Sequence, residues 1–362
     1  MTDLPSIGRR CLLATLTTLP AAMRAGRAGA APIQAAAPQP PVVAPLTERP
    51  KLLIAGPDDG TLDRWADALL PALEQSLPLE RSIRRVEVGS TDGVTGANQF
   101  EARGSPDGLT VLLAPGQAAL AWMVGDPRAK FDVAHWVPVM AGASSGIVVG
   151  RPSVLANGRA RVAAAGPASI DLPALLGIHL LGGKMEPVFG LDQPTAAQSA
   201  FSQGAVDAVL LHGHRVPDQF ITLAAARAQP LFTLGAIDGD GRIVRDPAFP
   251  EVPHFAELYQ ARFGRKPHGP LCEAWCATAA AAQLEFGLVL PELTPAAMVA
   301  LWRRAGTDAV ASLGVQATAA AVDVRPLAGS VANANTAAVA ANAPALLELR
   351  HWLASRFNWH PA

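Results

Sequence analysis

Lys51-Leu52-Leu53-Ile54-Ala55-Gly56 is a short apolar run, and Pro57-Asp58-Asp59-Gly60-Thr61 directly after it is a turn. From 62 to 77 apolar residues then fall at helical spacing: Leu62, Trp65, Ala66, Leu69, Leu70 and Leu73. The pattern repeats. Residues 84–88 predict a second strand, 95–102 a second helix and 109–114 a third strand. Pro115-Gly116-Gln117 turns the chain into a helical stretch over 118–123. This βαβαβ order predicts an α/β fold with a mostly parallel sheet covered by helices on both faces.

Strands are expected at 137–143 and 146–150, around Ser144-Ser145. A second α/β unit follows over 153–250. It has strands at 161–165, 205–211 and 231–234, and helices at 172–181, 195–203 and 219–228. Gly166-Pro167-Ala168-Ser169 is its first strand-to-helix turn. The remainder returns to helices at 255–263, 271–287, 295–312 and 344–357. No internal repeat is present.

Composition bounds the function. The chain has 362 residues, half of them apolar and 16% charged, so a sizeable core is available and general disorder is excluded. A net charge of −1 leaves no polybasic surface and argues against nucleic acid as a partner. At the N-terminus, Arg9-Arg10 stands directly before an apolar stretch over 11–23 that contains Pro20, and small residues follow at Ala28-Gly29-Ala30-Ala31. That is the shape of an export signal, too short to span a bilayer. The arginine pair points to the twin-arginine (Tat) route, with Sec export as the alternative. Residues 1–31 are read as this signal, 32–48 as a Pro- and Ala-rich leader, and the mature protein as periplasmic.

Several later segments resemble one family. The stretch 60–73, Gly60-Thr61-Leu62-Asp63 onward, resembles the first helix of the tripartite tricarboxylate transporter receptors, the Bug or TctC proteins. Gly93-Val94-Thr95-Gly96 is similar to the start of their second helix, and Ser105-Pro106-Asp107-Gly108-Leu109-Thr110 to their next strand. Phe131-Asp132 with Trp136-Val137-Pro138 resembles the segment before their crossover. Gln203-Gly204-Ala205-Val206-Asp207 and Asp246-Pro247-Ala248-Phe249-Pro250 resemble two steps in and beyond their second lobe. The matches run in order from about residue 50 to the C-terminus. The resemblance implies a two-lobed type II periplasmic binding protein with two crossovers, near 143–155 and 245–255. Lobe 1 would be 49–152 with 251–362, and lobe 2 would be 153–250. It also implies a small carboxylate or amino acid ligand, delivery to membrane permease subunits, a monomer, and no cofactor.

The residues support such binding independently. Turns at 57–61, 114–118 and 165–169 lie at the carboxyl ends of strands, where open α/β sheets take ligands. Each feeds a helix whose first N–H groups lack partners and attract an anion. The candidate ligand contacts are Asp59, Gly60, Thr61 and Asp63; Gly116, Gln117 and Ala118; Ala168 and Ser169; and His212 and Arg215, which follow the strand at 205–211. Thr61 and Ser169 also suit plain helix capping. Arg215 offers a bidentate grip on a carboxylate or a surface charge. Asp58 and Asp59 replace the family's Gly-Gly. Facing the cleft they favour an ammonium-bearing ligand; otherwise they face solvent or cap the helix.

Catalytic and metal motifs fail. Gly142-Ala143-Ser144-Ser145-Gly146 has the spacing of a nucleophile elbow, but a strand follows it where a helix is required. Gly182-Gly183-Lys184 is not a phosphate loop, and Asp238-Gly239-Asp240-Gly241 lacks the closing Glu of a calcium loop. Cys272 and Cys276 have no further ligands for zinc and read as small buried residues. The chain is therefore expected to bind rather than catalyse, with a drifted sensor or scaffold of the same fold as the alternative.

Overall fold

The computed structural model describes residues 46–156 and 159–360. The segment read as an export signal, 1–31, and most of the segment read as a leader, 32–48, lie outside the described residues.

The first half builds β1 (Lys51–Ile54), α1 (Thr61–Ser76), β2 (Arg84–Glu87), α2 (Val94–Arg103), β3 (Thr110–Ala114), α3 (Gly116–Val124) and β4 (Val137–Ser144). The chain then passes to β5 (Ile147–Gly150), β6 (Arg159–Ala163), α4 (Leu172–Leu180), β7 (Lys184–Val188), α5 (Pro194–Ser202), β8 (Ala208–Leu211), α6 (Val216–Ala224) and β9 (Gln229–Thr233). A small hairpin of β10 (Ala236–Ile237) and β11 (Ile243–Val244) leads to α7 (Phe255–Phe263) and α8 (Pro270–Gln283). The chain closes with β12 (Leu284–Leu290), α9 (Ala296–Ala311), α10 (Leu313–Val322), β13 (Val324–Ala328), α11 (Gly329–Ala338) and α12 (Ala343–Phe357).

Two larger sheets result, one per lobe. The first has the order β13-β4-β12-β3-β1-β2 and the second β7-β6-β8-β5-β9. In the first, β1, β2 and β3 pair in parallel, and β12 runs antiparallel between β3 and β4. In the second, β6, β7 and β8 are parallel, and β5 runs antiparallel between β8 and β9. Most strands of each sheet thus share one direction; β12 and the edge strand β13 run against it in the first sheet, and β5 in the second.

Those insertions redraw the expected boundaries. The sequence reading kept 146–150 in lobe 1, yet β5 pairs within the second sheet, so the chain crosses at Ser144–Gly146. The return expected at 245–255 also falls later. Thr233 bridges His254, and Phe255 packs its ring against Phe232, so α7 stays with the second sheet. Lobe 1 is regained only where α8 gives way to β12. The helix expected over 271–287 ends at Gln283 for this reason: Leu284–Leu290 fills the gap between β3 and β4.

Each sheet is covered on both faces. Trp65 and Trp302 bury one face of the first sheet against Phe286, and Phe201 and Leu223 do the same for the outer face of the second. A third core joins the lobes, running from Ala119 and Met123 through Trp275 to Leu175 and Phe232. Trp275 Nε1 donates to the Pro173 carbonyl at 2.8 Å, which pins α8 to α4. The lobes therefore share a packed back, and the cleft opens where that packing stops.

Candidate functional site

The cleft holds about 430 Å³ and is walled by both lobes. From lobe 1 come Ala55–Pro57 and Thr61 at the β1–α1 turn, Thr91, Pro115–Gln117 at the β3–α3 turn, Ser144, and Leu284 with Glu285. From lobe 2 come Ile170, Pro194, His212–His214 and Gln219. These are turns at carboxyl ends of β1, β3, β6 and β8, the position an open α/β sheet offers a ligand.

Two helices start bare at this wall. The residues at the N-caps of α1 and α3, Gly60 and Pro115, have no side chain to accept a hydrogen bond from the first turn. Among the described residues the amides of Thr61, Leu62, Gly116 and Gln117 have no acceptor. Four donors and two helix dipoles are thus left for an anion. The close fit at Gly116 is backbone against backbone: a Cβ there would lie 2.0 Å from the Ala281 carbonyl oxygen. Only glycine lets α3 begin so near the α8–β12 junction.

The β8–α6 loop is held by Gln219, whose side-chain amide donates to the His214 carbonyl at 2.7 Å. Gly213 and Arg215 both adopt positive φ, +77° and +52°, and the turn they make directs His214 across to lobe 1. His214 Nε2 lies 2.6 Å from Glu285 Oε1. That hydrogen bond to the carboxylate raises the His214 pKa against an opposing effect of burial, and the contact joins the two lobes. His212 behaves oppositely: burial lowers its pKa.

Of the residues expected to bind, Thr61, Gly116, Gln117 and His212 meet in the cleft. Others do not reach it. Asp59 is exposed at positive φ, and Gly60 turns its amide back to the Pro57 carbonyl at 3.2 Å. Asp63 is buried and ion-paired with Arg85 of β2, which also binds Asp67 and Glu87. Ala118 is fully buried behind the wall. Ala168 and Ser169 belong to a separate hollow beside Arg128 and Trp359. Ser169 Oγ lies 2.8 Å from the Gly166 carbonyl and 3.0 Å from Asp171, so its hydroxyl closes its own turn. Arg215 is exposed and paired with Asp218. Asp58 is exposed beside Asp59, and neither lines the cleft. The carboxylates of Asp58, Asp59 and Asp63 lie within 4.8 Å of one another, but Arg85 already answers the Asp63 charge.

Glu285, Gln219 and Thr91 were not anticipated, and His214 reads in the sequence only as a donor or a solvated loop residue. Glu285 was hidden because 271–287 reads as one helix; its only signal is a lone acid in the apolar run Leu284–Leu290. The nucleophile elbow is not formed. Ser144 ends β4 and donates to the Gln283 carbonyl at 3.3 Å, and Ser145 donates to Asp246 at 2.9 Å, so both hydroxyls are already engaged. Asp238 closes the β10–β11 turn by accepting from the amides of Asp240 and Arg242. Cys272 and Cys276 are free thiols, and burial pushes Cys276 up to about 12.

The sequence matches no family model and no curated protein. Solved structures do match. A TctC solute binding protein from Polaromonas, without ligand, aligns over 86% of this chain and 98% of its own at 16% identity, with a TM-score of 0.62. The fold is that of a TctC solute binding protein. The periplasmic binding protein BugD aligns over the same 86% at 15% identity and a TM-score of 0.46. MatC from Rhodopseudomonas palustris, with bound malate, aligns over 85% at 16% identity and a TM-score of 0.44. Within the TctC fold, the bare starts of α1 and α3 stand on one lobe of this chain and the His212–His214 loop faces them from the other.

Proposed function

We propose that this chain is an extracytoplasmic solute receptor of the Bug/TctC type. It binds a small organic acid between its lobes and passes it to a tripartite tricarboxylate-type permease. The observation that carries the reading is the pair of uncapped helix starts at Thr61 and Gly116, opening on one cavity of about 430 Å³. Free N–H groups at a helix N-terminus are an anion site of known physical origin. The hydroxyls, amides and imidazoles around them support a ligand receptor over a scaffold, which would need no polar cleft. The signal-like sequence at 1–31 supports export to the periplasm. Binding requires no chemistry from the serines nearby, and closure about Ser144–Gly146 would follow from the ligand's preference for the closed state.

A thermal-shift panel of organic acids and amino acids on the full chain tests this. A binder at a hundred times its Kd adds about 2.7 kcal/mol to stability and raises Tm accordingly. A panel in which no acid moves Tm overturns the reading. Uptake of the binding acid by cells expressing the chain and its permease separates delivery from mere binding.

A further inference from the structure

Among the described residues that line the cleft none is Lys or Arg, and its ionisable side chains are His212, His214 and Glu285. Glu285 sits at a β-bulge. Leu284 pairs with Ala143 and Phe286 with Gly142, so Glu285 has no residue opposite it. A bulge re-aims a side chain out of the strand's alternation, and this one delivers a carboxylate to the cavity. One oxygen of it takes His214 at 2.6 Å; among the described residues no other group meets it. The remaining acceptor sites of the carboxylate open on the cleft.

We propose that Glu285 determines specificity in this cleft, selecting an acid that carries an ammonium group in addition to its carboxylate over a dicarboxylate. The proposal rests on the receptor reading above. The ligand carboxylate takes the amides at the starts of α1 and α3, and its ammonium donates to Glu285 in a charge-assisted hydrogen bond. A second ligand carboxylate near Glu285 meets its repulsion, and His214 there is already engaged with Glu285. Asp58 and Asp59 would favour such a ligand only if they faced the cleft; neither lines it, and Glu285 does.

The test is isothermal titration of the full chain with matched sets of acids. One set is propionate, β-alanine and succinate; a second is butyrate, γ-aminobutyrate and glutarate; a third is valerate, δ-aminovalerate and adipate. The α-amino isomer of each amino acid is included. The expected result is that in at least one set an ammonium-bearing acid binds about tenfold or more tightly than the matched dicarboxylate and monocarboxylate. Glu285→Gln should abolish that preference. Dicarboxylates binding as well as or better than their amino partners would overturn the proposal and leave the receptor reading intact. So would a preference that survives Glu285→Gln. If no acid in any set binds, the receptor reading fails and the proposal falls with it. The ranking on the unmodified chain decides the matter even if the variant does not fold.

Discussion

The β3–α3 turn and the β6–α4 turn begin as the same device and end as opposites. Both follow a parallel strand, both carry Gly and Pro, and both feed a helix at the carboxyl edge of a sheet. The β6–α4 turn is rich in polar side chains and uses them on itself. Asp171 accepts from the Ala165 amide at 2.9 Å, Ser169 bonds Gly166 and Asp171, and the Leu172 amide reaches the Ser169 carbonyl at 3.0 Å. The β3–α3 turn has nothing to cap with, so the amides of Gly116 and Gln117 remain unbonded at the cleft. A polar residue at a helix start is therefore weak evidence of a ligand site, because it is also the local solution to the unsatisfied first turn. A bare start beside a cavity is the stronger sign.

The sharpest way to break this contrast is glycine. At Gly116 a Cβ meets backbone oxygens of Ala281 and Leu284, neither of which can give way cheaply. Gly116→Ala should cost about 1–3 kcal/mol or more, read from denaturant midpoints. At Gly166 a Cβ meets nothing within 4 Å, and Gly166→Ala should change stability by less than about 0.5 kcal/mol. Equal effects at the two sites would mean that α3 is not seated as described.

Charge separates the turns next. Gln117→Glu puts a carboxylate in the first turn of α3, where it strengthens the helix by about 0.3–1 kcal/mol. The same charge repels an acid ligand, so affinity should fall about tenfold while Tm holds or rises. Ala168→Glu, on the turn that closes on itself, should leave acid affinity unchanged in the same titration. A smaller effect is expected at Ser169→Ala: about 1 kcal/mol of stability lost with the hydrogen bond, and no change in binding.

The finest comparison lies within one loop. His214 is raised above its ordinary 6.5 chiefly by the hydrogen bond to Glu285. Its contribution to stability is complete below that value and is lost as pH rises through its folded pKa. His212 is lowered below 6.5 by burial. Its contribution is present above 6.5 and is lost as pH falls through its folded pKa. NMR titration should find the two rings moving to opposite sides of 6.5, and Glu285→Gln should bring His214 back down. A His214 that titrates at its ordinary value in the unmodified chain would remove the link between lobes.

Much of the architecture was legible in the sequence because the signal was local. The periodicity of Leu62, Trp65, Leu69 and Leu73 sets α1, and the short apolar runs set β1, β3 and β4. What was not legible depended on distant partners. Leu284–Leu290 follows an alanine-rich helix with no Gly or Pro between them, and becomes a strand only because β3 and β4 leave a place for it. Glu285 went unnoticed with it. Ile147–Gly150 reads as a strand correctly, yet its sheet is chosen by β8 and β9, far along the chain. At the site, glycine and proline pointed to the right turn at 115–117, whereas Asp63, Ser169 and Arg215 drew notice by their chemistry and prove to be engaged with Arg85, Asp171 and Asp218.

Backbone amide shifts recorded by NMR while the full chain is titrated with the tightest-binding acid of the panel test the central claim most directly. The amide protons of Thr61, Leu62, Gly116 and Gln117 should move strongly downfield together, with those of Gly166, Ala168 and Ser169 unmoved. Shifts centred on 166–169, or an acid that binds while the four amides stay where they are, would contradict it.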